Sequence, residues 1–314
     1  MTTELVTSSL PEPAGTDVPI DADHPGRLRS FLRLVMIEHS IFALPFAYIA
    51  ALTAMWRQTS SVHWLQLLLI TVAMVSARTV AMGANRILDR RFDALNPRTA
   101  NRELVTGAVS VKTATAGTLV ALAVFLATAA TLSWLCLALA PVAVFLLVLY
   151  SFGKRFTNFP QVLLAIAQFV APVGAWIAVT GSASWSACAL GIAVGTWIGG
   201  FDLIYACQDI EADRANGIRS VPARFGARVA LIASSLTHVV TVAAFGWFGF
   251  AAGLGGLWFA GVLVTAAILV YEHLIVTATD LSRVNRAFFT ANGVIGIGLF
   301  GFSLADLLTL GLRK

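Results

Sequence analysis

This sequence predicts an all-α fold that crosses a bilayer many times, and three observations predict it. Its 314 residues are 58% hydrophobic and only 12% charged, with a mean hydropathy of +0.82, far more apolar than a soluble globular domain. Apolar runs of the length a helix needs to span the hydrocarbon, about 20 residues, recur along the chain. Runs such as LCLALAPVAVFLLVLY also lack the period-two alternation of a transmembrane β-strand.

Taken in order, residues 1–26 are polar, include prolines and five acids (Glu4, Glu12, Asp17, Asp21 and Asp23), and lack the basic and apolar regions of a signal peptide. They are expected to form a disordered cytoplasmic tail ahead of one transmembrane domain, residues 27–314. Nine spans are expected within it, at residues 34–56, 62–88, 113–131, 133–150, 159–180, 186–207, 227–249, 255–275 and 287–310. Cys136, Cys188 and Cys207 fall inside apolar segments without metal-ligand or redox spacing, which leaves them a packing role.

The net charge of +5 is positioned for a bilayer and not for nucleic acid. Of 21 Lys and Arg, 17 lie just before the first span or just after the second, fourth, sixth and eighth, while the loops after the third, fifth and seventh hold none. By the positive-inside rule the N-terminus and the even-numbered loops are cytoplasmic, in a multi-pass protein of the cell (inner or plasma) membrane. The C-terminus is then external.

Against that apolar background, NRILDRRFDALNPRTANRELVTG at residues 85–107 gathers Asn85, Asp89 and Asp93 with five arginines at the end of span two. Steps of four residues, at about 100° each, keep the three on one helical face. FDLIYACQDIEADRANGIRSVPARFG at residues 201–226 closes span six in the same manner. There Asp202, Tyr205, Asp209 and Asp213 step by three, four and four, which again makes a single stripe, and Glu211 points elsewhere. A lone aspartate at a helix end is ordinarily an interfacial ion pair. Two pairs of close carboxylates repel, and such pairs are normally held together by a cation. Oxygen ligands without His or Cys suit Mg²⁺, which takes one or two carboxylates plus substrate phosphates, and arginines grip phosphate in a bidentate fork. A magnesium-held diphosphate at a membrane surface fits both clusters.

Asp202 and Arg78 lie one to two turns deeper, where a charge costs at least about 2.5–3.5 kcal/mol and marks function by default. Arg78 precedes Asn85 by seven residues and shares its face. Tyr150 and Lys154 are i, i+4 at the end of span four; they either supply a cation to the same chamber or anchor the helix at the interface.

These residues resemble the UbiA superfamily of intramembrane aromatic prenyltransferases. The N-x3-D-x3-D motif is Asn85, Asp89 and Asp93; the second motif is Asp202, Tyr205, Gln208, Asp209 and Asp213; the Y-x3-K signature is Tyr150 and Lys154. EHSIFALPFA and NRAFFTANG are also similar, so the resemblance covers nearly everything after residue 27. It implies nine helices around a central cavity, with Asp89, Asp93, Asp209 and Asp213 binding Mg²⁺ that bridges to a polyprenyl diphosphate. It implies substrate contacts from Arg78, Asn85, Arg86, Arg90, Tyr205 and Gln208, and catalytic roles for Asp202, Tyr150 and Lys154. Asp202 would help deprotonate the acceptor, while Arg78 would either meet an acceptor carboxylate or hydrogen-bond a backbone carbonyl. Glu38 and His39 would line the cavity or join helices. HSIFALPFA and APVGAWIAVTG look most like the branch acting on 4-hydroxybenzoate and on the dihydroxynaphthoates of menaquinone synthesis. A secondary transporter and a non-catalytic lipid-binding subunit are the rival classes; a transporter would place its polar positions near mid-membrane in both halves.

Overall fold

The computed structural model of the protein describes residues 34, 40–284 and 292–313. The expected N-terminal tail, Glu38, His39 and the start of the NRAFFTANG segment lie outside the described residues. Nine long helices appear among those described: α1 (Ser40–Thr59), α2 (Trp64–Leu95), α3 (Val111–Leu132), α4 (Trp134–Phe156), α5 (Pro160–Thr180), α6 (Trp185–Tyr205), α7 (Ala227–Ala252), α8 (Gly256–Ile275) and α9 (Asn292–Thr309). The last eight are each long and apolar enough to cross a membrane, and α1 is the described part of the first expected span.

The helix ends are built from the residues their positions demand. Ser110, Ser133 and Ser184 cap α3, α4 and α6 by accepting from the backbone N–H three residues on. Gly181 and Gly253 end α5 and α7 in the left-handed region, at φ +72° and +76°. Consecutive helices run antiparallel, and each packs on its neighbour. α9 returns to pack on α1, which closes the helices into a ring, and α1 and α2 both also reach α5.

α6 is the most enclosed of these helices, with 72% of its apolar window buried against 17% for α3 and α4. It can be so enclosed because small residues let its neighbours approach: a Cβ on Gly195 would strike the backbone oxygen of Ala165 in α5. Phe46, Trp197, Phe245, Phe248 and Trp258 form the aromatic centre of the core, joining α1, α6, α7 and α8. Phe46 lies 4.9 Å from Trp197, and Phe248 meets Trp258 edge-on at 5.2 Å.

The two ends of the ring differ in chemistry. Trp64, Trp134 and Trp185, the first residues of α2, α4 and α6, stand 64%, 78% and 78% exposed at one end, as an interfacial aromatic belt requires. Arg313 exchanges backbone hydrogen bonds with Ser60 (2.7 Å) and Val62 (2.9 Å) at that same end. With 32 residues α2 runs about 48 Å, so the acidic motif at its far end opens on the opposite face.

Candidate active site

The even-numbered helices deliver the polar residues. α2 extends to Leu95, beyond the expected end at residue 88, so Asn85, Asp89 and Asp93 all sit on unbroken helix and share a face. After Tyr205 the second motif departs from the expected continuous helix: Ala206–Asp209 tightens into a 3-10 turn before Ile210–Ala215 resumes α geometry. That turn changes the angular step, yet Asp202, Tyr205, Asp209 and Asp213 still line one cavity.

The cavity has a volume of about 940 Å³ and is walled chiefly by α2, α4, α5 and α6. Its inner part is apolar, with Met74, Leu139, Leu146, Leu164 and Ile198 among the lining, and its mouth carries the two motifs. Arg78, Asn85, Arg86, Asp89, Asp93, Tyr150, Lys154, Asp202, Tyr205, Asp209 and Asp213 are therefore brought together. Arg90 and Gln208 are not among its lining. Arg90 turns its Nε to the carbonyl of Leu104 at 2.9 Å, and Gln208 donates to the Tyr205 carbonyl at 3.4 Å. Both sit on helical turns whose neighbours already fill the inward face. Glu211 is exposed, as its position off the stripe requires.

At the mouth three motif carboxylates carry a basic partner and the fourth a hydroxyl. Lys154 Nζ lies 2.7 Å from Asp89 Oδ2, which also accepts from Asn85 at 2.9 Å; Asn85 in turn reaches Ser151 at 3.3 Å. Arg102 lies 2.6 Å from Asp93. Arg98 grips Asp209 with two bonds, 2.9 Å from Nε and 2.6 Å from Nη2, donates to the Tyr205 hydroxyl at 3.1 Å, and covers its ring at 5.2 Å. Asn96 adds a bond to Asp209 at 3.0 Å, and Ser220 donates to Asp213 at 2.9 Å. The loop of residues 96–102 thus ties the first motif to the second. Arg98 and Arg102 belong to the basic loop that follows the first motif in the sequence; with no helical period to orient them, their placement depends on anchors such as the bond from Thr99 Oγ1 to the Asp93 carbonyl at 2.9 Å.

Among the described residues no three His, Cys, Asp or Glu converge to cage a metal by themselves. The donor set nevertheless suits Mg²⁺, because the four motif carboxylates line one mouth and Asp89 Oδ1 is buried with no hydrogen bond among the described residues, Arg155 standing 3.8 Å from it. This is a site that substrate oxygens and water would complete. Deeper, Arg78 lines the cavity, and among the described residues neither a hydrogen bond nor an ion pair holds its guanidinium; its Nε is buried with no partner there. Arg86, Arg98, Arg102, Lys154 and Arg219, the other basic residues of the lining, each have a partner among the described residues.

Comparison with known proteins agrees with this architecture. The model of the UbiA prenyltransferase family matches residues 43–294. The 4-hydroxybenzoate octaprenyltransferase of Citrobacter koseri is 32% identical over 275 residues, covering 87% of this chain and 94% of the relative, and that of an Azoarcus species is 32% identical over 90% of this chain and 98% of its own. The apo structure of a UbiA homolog from Aeropyrum pernix superimposes with a TM-score of 0.78 at 33% identity, over 86% of this chain and 98% of the homolog. A UbiA homolog from Archaeoglobus fulgidus, solved with GPP and Mg²⁺, shares the fold with a TM-score of 0.66 at 22% identity, over 89% and 99%. With its motifs, ring of helices and cavity in this arrangement, the chain belongs to the UbiA prenyltransferase family and is a multi-pass membrane prenyltransferase.

Proposed function

We infer that the protein transfers a polyprenyl group from a polyprenyl diphosphate to an aromatic hydroxy acid, of the 4-hydroxybenzoate or 1,4-dihydroxy-6-naphthoate kind, in respiratory quinone synthesis. The observation that carries the acceptor class is Arg78, a cavity guanidinium without a partner among the described residues. A desolvated cation in this position calls for an anion from the substrate, and a planar carboxylate fits its fork. The relatives named as 4-hydroxybenzoate octaprenyltransferases support the same choice. Prenyl transferase family membership and acids crowded at one end of a single cavity leave the transporter reading without support.

Asp89, Asp93, Asp209 and Asp213 would hold Mg²⁺, which when bound neutralises the diphosphate as a leaving group. Lys154, Arg98 and Arg102 stand at the same end of the cavity and add positive charge as the allylic C1–O bond breaks, its electron pair leaving on the diphosphate. The apolar wall seats the prenyl chain and excludes the water that would capture the carbocation. An aromatic carbon attacks C1, and Asp202 takes the proton that the acceptor releases.

Mass spectrometry of products from the purified protein given Mg²⁺, a polyprenyl diphosphate and a panel of phenolic and naphthoic acids tests this reading. Prenylation of acids but not of their decarboxylated analogues is the expected result; no transfer to any aromatic acid refutes it. Arg78→Ala is expected to weaken the acceptor's apparent affinity by about 1.5–3 kcal/mol, the worth of a charged hydrogen bond, and the loss should shrink for an acceptor without a carboxylate. If the variant instead weakens competition by an unreactive prenyl diphosphate analogue and spares the acceptor, Arg78 serves the donor.

For orientation, the distribution of basic residues supports cytoplasmic motifs and an external C-terminus. A reporter fused after Lys314 should be active only outside the cytoplasm; cytoplasmic activity would invert the assignment.

A further inference from the structure

The apolar inner wall of the cavity holds an amide that takes no part in the mechanism above. Gln168 lines the cavity from α5 together with Leu164, Ala171 and Ala175, residues three or four apart that share one face of the helix. Among the described residues nothing hydrogen-bonds its side chain, yet neither of its polar atoms is sealed off, in contrast to Gln161 Oε1 on the same helix, which is buried without a partner. Asn292, another amide of the lining, is engaged instead: it accepts from Trp197 at 2.8 Å and donates to Glu272 at 3.3 Å. An amide held inside a bilayer without a partner is costly, and polar groups kept there ordinarily serve function.

Helix register places Gln168 at the depth of Arg78. Gln66 of α2 donates to the Ala178 carbonyl of α5 at 2.7 Å, which ties these two helices at the end of the ring away from the motifs. From that tie Arg78 lies about 18 Å along α2 and Gln168 about 15 Å back along α5, at 1.5 Å per residue. Both side chains therefore reach the cavity at nearly one level, from different walls. Asp89 and Asp93 stand about 17 and 22 Å farther along α2, so a diphosphate held at the mouth does not come down to this level. A prenyl chain that does reach it has no polar group to offer an amide. An aromatic acid has a carboxylate, which can meet the guanidinium fork and still accept an N–H from Gln168 Nε2. Toward the mouth, Gly199 packs on the Gln161 carbonyl, so Asp202, further along α6, stands about 15 Å nearer the motifs than Gln168. An acid whose carboxylate rests between Arg78 and Gln168 thus directs its ring toward Asp202.

We propose that Gln168 is a specificity-determining contact for the aromatic acceptor, its Nε2 N–H donating to the same carboxylate that Arg78 pairs with. This rests on the acceptor class inferred above. The test uses the full-length protein with Mg²⁺, a polyprenyl diphosphate and whichever aromatic acid the wild type prenylates. Gln168→Leu, which is of similar size and removes a polar group from the bilayer, is expected to raise the KM of that acid roughly tenfold, the effect of losing one hydrogen bond to a charged group. The inhibition constant of the decarboxylated analogue and the affinity for an unreactive prenyl diphosphate analogue should both stay within about twofold, which a general disturbance of the cavity would not allow. Because both side chains meet one carboxylate, the effects of Gln168→Leu and Arg78→Ala on acid affinity should combine to less than their sum. Should Gln168→Leu fail to fold, Gln168→Met must show the same KM shift. An unchanged KM for the acid, an equal loss for the acid and its decarboxylated analogue, weakened binding of the diphosphate analogue, or full additivity with Arg78→Ala overturns the proposal alone. Absence of wild-type transfer to any aromatic acid overturns the acceptor reading and this proposal together.

Discussion

Asp89→Asn and Asp209→Asn are each expected to reduce prenyl transfer by at least roughly 10²–10³-fold, the usual cost of removing one element of charge stabilisation at a reacting centre. The substitution keeps size and one acceptor oxygen but removes the charge that a divalent cation requires. Stability should change little. Arg98, which pairs with Asp209, keeps a side-chain exposure of 36%, and an ion pair so exposed contributes about 0–1 kcal/mol. Asp89 is more enclosed, with 3% exposure, but Asn85, Lys154 and Arg155 surround it, so an amide oxygen there still finds donors. The expected result is therefore a variant that inserts and melts like the wild type in detergent, binds the metal weakly and scarcely turns over. Titration with Mn²⁺ followed by its spin resonance reads metal affinity without turnover. Full activity in either variant would sink the assignment of these carboxylates, and loss of folding would mean that their role is structural.

What the sequence revealed of this site follows helical periodicity. Asn85, Asp89 and Asp93 fall on one helix without interruption, so their shared face could be read from spacing alone, and Arg78 projects into the same cavity because seven residues make nearly two whole turns. The same rule failed at Arg90 and Gln208. For Arg90 the Leu104 carbonyl offers a bond from the segment Glu103–Thr106, a partner that spacing on α2 says nothing about. Gln208 sits in the 3-10 turn, where the α-helical step no longer applies. Residues outside regular helix left no periodic signal at all, so Arg98 and Arg102 could be seen as a basic loop but not as the strap across both motifs. Asn292 falls within NRAFFTANG, which the sequence set apart, but its partners Trp197 and Glu272 lie on α6 and α8, which spacing along one helix says nothing about.

Asp202→Asn is expected to lower kcat by roughly 10²–10⁴-fold with both substrates saturating, the range for loss of a positioned general base, while donor-analogue affinity stays near the wild-type value. Asp202 stands on α6 one turn before Tyr205, deeper than the four carboxylates at the mouth, and it lines the cavity that also contains Arg78 and Tyr150. That depth separates it from the diphosphate end and sets it where the acceptor would lie. Arg98, Arg102 and Lys154 are engaged by Asp209, Asp93 and Asp89, so no basic residue at the mouth pairs with Asp202 among the described residues. A carboxylate without a cationic partner retains its basicity toward a phenol or a protonated ring intermediate. An amide of the same shape keeps the cavity's volume and polarity but accepts no proton, so binding and chemistry separate: acceptor KM should move little and kcat should carry the loss. An acceptor whose phenol is more acidic should recover part of the rate, because less then depends on the base. A kcat within about threefold of wild type across such acceptors would show that the proton leaves to another group or to water, and a loss of donor-analogue binding would place Asp202 with the diphosphate instead.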